Sequence, residues 1–276
     1  NKVAILYSHD SYHALNFMPY TYKENYPIDR VYKALYMQNI ETDIVPCDKW
    51  IDFSQYTMLV IPPLYVATDE LLSGIDKFVK EGGHVVMLHK SGYCNEHSAV
   101  RATLAPGLLR KACGFYYQEY STIDAMPLRD NPYNIEDSNQ ISDWYEFLQL
   151  ETAKPLAYAN HPFFGKWPVI TENSYGKGKL TYIGTYPSQE LLNKVIRQVA
   201  INATIIPSDY MQFPFIIRSG INQQEKKLHY IFNYSADTQE IQYPYSFGKN
   251  ILSGKDVDAK SLIKLEPWGV AIIEER

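Results

Sequence analysis

Short apolar runs and stretches of helical period take turns along the first third of the chain. Val3-Ala4-Ile5-Leu6-Tyr7 is continuously apolar, the mark of a strand buried on both faces. Pro27 suits a first helical turn, and Ile28, Val31, Tyr32 and Leu35 then keep the i, i+3, i+4, i+7 spacing of a helix face. Asp43-Ile44-Val45 reads as a second strand, and Thr57 to Ile61 as a third, stopped by Pro62-Pro63. Thr68 is placed to cap a helix whose inner stripe is Leu71, Leu72, Ile75, Phe78 and Val79. Gly82-Gly83 ends that helix, and His84 to Leu88 is a fourth strand. The alternation predicts an α/β fold: a parallel sheet of the flavodoxin-like or class I glutamine amidotransferase-like kind, with helices on both faces.

The period weakens beyond Gly92. Pro127 to Ser142 is polar and rich in turn formers, which predicts a surface loop. Order returns with a turn at Tyr175-Gly176-Lys177-Gly178-Lys179 and a strand at Leu180 to Ile183. Ser188 then caps a helix with Leu191, Leu192, Val195 and Val199 inside. This closes a first domain, residues 1–207. In residues 208–276 no helical period appears. Phe213 to Arg218, Leu228 to Tyr234, Glu240 to Tyr245 and Val270 to Glu274 are short strand candidates separated by Gly, Asn and Asp. They predict a small antiparallel β-sandwich as a second domain.

Composition removes several function classes. The 276 residues carry 26 basic and 31 acidic side chains, a net charge of −5, which argues against a basic face for nucleic acid. No apolar stretch approaches the ~20 residues of a membrane-spanning helix. Three cysteines, Cys47, Cys94 and Cys113, lack the spacing of a zinc site and read as free thiols suited to a cytoplasmic compartment. The 24 tyrosines, against 11 phenylalanines and four tryptophans, suit half-wet surfaces such as interfaces and sugar sites, although core and strand positions account for most such excesses.

An open α/β sheet holds ligands at the carboxyl ends of its strands, so each loop there can be tested for chemistry. Ser8-His9-Asp10-Ser11-Tyr12-His13 contains no glycine, which excludes a dinucleotide fingerprint. Pro62-Pro63-Leu64-Tyr65 stands where a phosphorylatable Asp would follow the third strand. Cys94, in Ser91-Gly92-Tyr93-Cys94-Asn95-Glu96, has bulky residues where a nucleophile elbow wants small ones, and reads as a buried or loop thiol. Gly176-Lys177-Gly178-Lys179 lacks the spacing of a phosphate loop, leads into a strand, and reads as a tight turn. His9, Asp10, His13 and Asn16 have the right side chains to bind metal or move protons, but also suit a polar interface loop. Asn202-Ala203-Thr204 and Asn233-Tyr234-Ser235 match the glycosylation sequon. Glu274 and Glu275, or Asp256 and Asp258, read as solvated pairs.

Taken in order, several segments resemble one family. Val3 to Ser8 with Ser11 and Ala14-Leu15 is similar to the opening of the trimerisation domain of glycoside hydrolase family 42 β-galactosidases. Leu59 to Tyr65, Phe78-Val79, Gly82-Gly83 and Ser91-Gly92 continue the resemblance, as do Tyr175 to Gly178 and Tyr182 to Thr185. Ile231 to Tyr234 and Pro267 to Val270 resemble the small C-terminal sandwich of the same enzymes. In that family a (β/α)8 barrel comes first, and its two glutamates carry out retaining hydrolysis. The resemblance implies a non-catalytic piece that starts where its own barrel ends, with catalytic, cofactor-binding and metal residues all absent. It implies a homotrimer and a β-galactoside as the parent's substrate, while the acidic charge and the lack of a long apolar stretch argue against nucleic-acid and membrane partners; the alternative reading is a stand-alone amidotransferase-like binding or enzymatic module. His9, Tyr12 and His13 depart from the family's usual acidic residues and Trp. The carboxyl-end loops carry Ser8, His9, Asp10, Tyr12, His13, Pro63, Leu64 and Tyr65. Aromatic residues with few charges suit a desolvated contact, so these eight are the candidate protein interface.

Overall fold

Continuous apolar runs can be satisfied only in the middle of a sheet covered on both sides, and three of them, Val3–Tyr7, Met58–Ile61 and the run that ends at Leu88, are found there. The structure is a computed structural model and describes residues 1–17, 26–47 and 51–276. Its main sheet has β1 (Val3–Tyr7), β2 (Thr42–Pro46), β3 (Met58–Ile61) and β4 (His84–Leu88) in the order β2-β1-β3-β4, all parallel. Gly178–Ile183 adds in parallel beside β4, and Pro168–Tyr175 and Lys154–Tyr158 then extend the sheet antiparallel, giving seven strands. Side chains alternate across the sheet. Ala4, Leu6, Leu59, Ile61, Val85 and Met87 share a core with α3 (Asp69–Glu81), while Val3, Ile5, Val60 and Val86 face the other way and are equally buried.

The helices follow their local signals. Thr68 accepts the Leu71 N–H at 3.1 Å to cap α3, and Gly82, at φ +126°, ends it. Pro27 precedes α2 (Ile28–Tyr36), whose buried residues are Val31, Ala34 and Leu35; Tyr32 faces solvent. Ser188 caps the helix Gln189–Asn202 through the Leu191 N–H.

Two expectations change. The segment after β1 is a helix, α1 (His9–Phe17), rather than a loop. Ser8 starts it, its Oγ accepting the Ser11 N–H at 3.1 Å and its carbonyl the Tyr12 N–H at 3.0 Å. The expected loop Pro127 to Ser142 ends early, because Gln140–Glu146 is a strand of a second, four-stranded sheet, with Thr185–Pro187 and Tyr120–Ser121 beside it. Trp144, Tyr145 and Glu146 are buried there, and that burial holds the strand against its polar approach.

The chain separates into two compact units, one of Asn1–Leu35 with Glu41–Pro207, the other of Tyr36–Ile40 with Ser208–Arg276. The second unit carries a five-stranded antiparallel sheet and the pair Gln239–Gln242 with Leu262–Leu265, enclosing Ile217, Ile231, Ile241, Tyr243, Leu265, Ala271 and Ile273. Residues 36–40 join it through Asn39. Its amide donates to the carbonyls of Met211 (3.0 Å) and Phe215 (2.9 Å) and accepts from the Ile217 N–H (2.8 Å).

Candidate functional site

The order β2-β1-β3-β4 reverses its winding between β1 and β3, where open α/β sheets form a crevice for ligands. Here the loops close on one another. Ser11, fully buried on α1, donates its hydroxyl to the Val66 carbonyl (3.0 Å) and accepts the Val66 N–H (2.9 Å), tying α1 to the loop after β3. Ser91, just past β4, accepts the Leu64 N–H (3.0 Å) and donates to the Leu88 carbonyl (2.7 Å). Gly92 N–H reaches the Leu64 carbonyl, and Cys94 N–H that of Tyr65, each at 2.8 Å. The donors that a phosphate or oxyanion would need are therefore already engaged.

This settles where the eight candidate residues stand. His9, Asp10, Tyr12 and His13 are exposed on α1. Ser8, Pro63, Leu64 and Tyr65 are buried within the chain's own fold. Leu64, 1% exposed, belongs to the main core; Tyr65, at 7%, packs with Leu15, Tyr26, Val66 and Cys94. As a surface set the eight are thus reduced to four, because the loop after β3 turns inward to pair with the loop after β4.

Cys94 lies inside this closure. Its backbone bridges Val66 and Val100, and burial raises its thiol above the usual range. A raised thiol is a poor nucleophile. The Gly176 turn is likewise occupied: Lys177 N–H donates to the Lys80 carbonyl (3.0 Å) and Lys179 N–H to that of Gly83 (3.2 Å). A Cβ on Gly176 would stand 2.3 Å from the Lys80 oxygen, so the glycines permit a close backbone approach to α3.

Next to the closed crevice lies a group of which the sequence pattern singled out only Tyr65 as a candidate. Tyr65 stacks on Tyr93 (5.6 Å between centroids), Tyr120 on Trp144 (4.3 Å), and the Lys90 Nζ sits 4.2 Å over the Trp144 ring. These side chains line a cavity of about 160 Å3. Beneath it the Glu146 carboxylate, with no exposed surface, accepts from Lys90 N–H (2.6 Å), Trp144 Nε1–H (3.0 Å) and Tyr182 Oη–H (2.8 Å). Burial raises the Glu146 carboxyl despite these bonds, and burial pushes the Lys90 ammonium down to about 8 despite the charges of Glu146 and Asp143. The visible signals were small: a lysine two residues past an apolar strand, and a glutamate ending Trp-Tyr-Glu.

Comparisons with known proteins bear on the family and the fold. A family model, the β-galactosidase trimerisation domain, matches residues 1–206. A β-galactosidase of Geobacillus sp. is 29% identical over 210 residues, covering 75% of this chain and 31% of that protein. One from Clostridium perfringens is 27% identical over 289 residues, covering 100% of this chain and 41% of that one. The crystal structure of a β-galactosidase from Bacillus circulans sp. alkalophilus matches with a TM-score of 0.85 at 24% identity, over 100% of this chain and 41% of that chain, and shows the shared fold. The chain spans about a third to two fifths of the length of these relatives.

Proposed function

Because the chain belongs to the β-galactosidase trimerisation-domain family, we propose that it is the non-catalytic part of a β-galactosidase-type glycoside hydrolase. In this reading it holds subunits together as a homotrimer and helps to shape the active site of a (β/α)8 barrel. The parent's substrate is a β-galactoside, and the two carboxylates that retaining hydrolysis requires belong to that barrel. The strand order at the β1/β3 reversal supports a Rossmann-like, amidotransferase-like ancestry for the sheet.

The observation that carries the proposal is the closed crevice. An α/β sheet whose carboxyl-end loops spend their polar groups on each other has little left for ligand chemistry. It offers a stiff edge on which His9, Asp10, Tyr12 and His13 face outward, and we assign these four to protein contact. A closed cyclic trimer needs a heterologous patch that repeats around the axis. The test is light scattering on the parent protein with Tyr12→Asp, paired with an aryl β-galactoside assay of the 276-residue chain alone. A weakened trimer and an inactive isolated chain are expected. An unchanged trimer removes the assignment of this edge, and turnover by the chain alone removes the non-catalytic reading. Leu64 and Tyr65 are unsuitable probes, because a charge at either would be buried inside the monomer.

A further inference from the structure

We propose that His9 and His13 together form a bidentate site for a divalent transition-metal ion, in the class of Zn2+, Ni2+ and Cu2+. The two histidines stand four residues apart on α1, one turn above the other on a single helix face. His9 Nδ1 and His13 Nε2 face each other at 3.4 Å. Two imidazole nitrogens bound to tetrahedral Zn2+ at about 2.0–2.1 Å would stand ~3.3–3.4 Å from one another. The separation of the two nitrogens already matches the N···N distance of such a chelate. Moving the imidazole protons to His9 Nε2 and His13 Nδ1 leaves both facing nitrogens with free lone pairs.

The rings are held in this position. Tyr7 meets His9 edge-on at 5.1 Å, Tyr12 meets His13 at 5.2 Å, and the two imidazoles lie nearly parallel at 5.4 Å. Ligands fixed by packing lose less freedom on binding. Both histidines are exposed in the single chain, where the edge assigned to protein contact is uncovered and an ion can reach them. The positive end of α1 opposes a cation, and Asp10 in the first turn offsets it. Among the described residues no third His, Cys, Asp or Glu joins the pair, so the two imidazoles are the ligands the proposal rests on. Imidazole donors select this class over Mg2+ and Ca2+, and the Irving–Williams order places Cu2+ above Zn2+. The inference concerns the single chain and does not depend on trimer formation.

The test is calorimetric titration of the 276-residue chain with Zn2+, Cu2+ and Mg2+, together with NMR of the histidine ring resonances. One Zn2+ per chain, tighter Cu2+ binding and no Mg2+ binding are expected. His9→Ala and His13→Ala should each weaken Zn2+ at least roughly tenfold, since loss of even an outer-shell partner costs that much. His97→Ala, an exposed control, should leave binding unchanged. In the wild-type chain, Zn2+ should shift the His9 and His13 resonances together, which keeps the test valid if a variant fails to fold. Undiminished binding in the doubly substituted chain, or movement of other histidines in their place, would overturn the proposal.

Discussion

Lys90 offers a prediction in which one charge can be followed through a pH titration. Its side chain is 3% exposed over Trp144, and burial lowers its ammonium from 10.5 to about 8. The folded chain therefore gives up this proton more easily than the unfolded chain. Between about pH 8 and 10.5 the unfolded state binds more protons, so Lys90 makes stability rise with pH across that window. The whole shift corresponds to a penalty of about 3 kcal/mol, at 1.36 kcal/mol per unit, borne at pH values below the folded value. From pH 7 to 9.5 the wild type should regain about 2 kcal/mol of it. Lys90→Met keeps the aliphatic stem and removes the charge, so its stability should lack that rise. Urea unfolding of both proteins at pH 7, 8, 9 and 9.5 measures the difference. The range stops short of the region where buried tyrosines such as Tyr182, held well above their usual range, reverse the trend. Burial raises the Glu146 carboxyl, and this residue is present in both proteins. Parallel stability curves for wild type and variant across this range would refute the buried-ammonium argument.

Two further outcomes follow from close contacts in the first unit. Ser11→Ala removes the bridge between α1 and Val66 and leaves the Val66 N–H unpaired, which should cost about 1–3 kcal/mol and lower the calorimetric Tm. In Gly178→Ala the new methyl would stand 2.2 Å from the Gly83 oxygen and 2.3 Å from that of Val79. The backbone must move, and denaturant unfolding should report a loss of about 1–3 kcal/mol or more; an unchanged midpoint would mean that the hairpin does not press on α3.

The interface assignment shows where reasoning from local pattern loses its grip. Aromatic and apolar residues in a loop read alike whether the loop lies on the surface or folds inward. Pro63, Leu64 and Tyr65 carry the composition of a contact surface, yet Ser91 and Cys94 draw their backbone into the monomer. The capping signal for α1, by contrast, was present in Ser8 and Ser11, but with only Leu15 and Ser11 buried the helix shows almost no apolar period to announce it.

What the sequence by itself determined are the elements whose cause is local. The strands β1, β3 and β4 follow from continuous apolarity, α3 from Thr68, a five-residue stripe and Gly82, and the tight turn at Gly176 from its glycines. Each is specified by residues a few positions apart, so a linear pattern contains its explanation. The tertiary structure alone decided the rest: the closure of the crevice by Ser11 on Val66, the capture of residues 36–40 by the second unit through Asn39, and the burial of Glu146 under Lys90. These depend on partners 55 to 178 positions away. A polar side chain's fate there is set by which distant donor or acceptor the fold brings to it, and no local period encodes that.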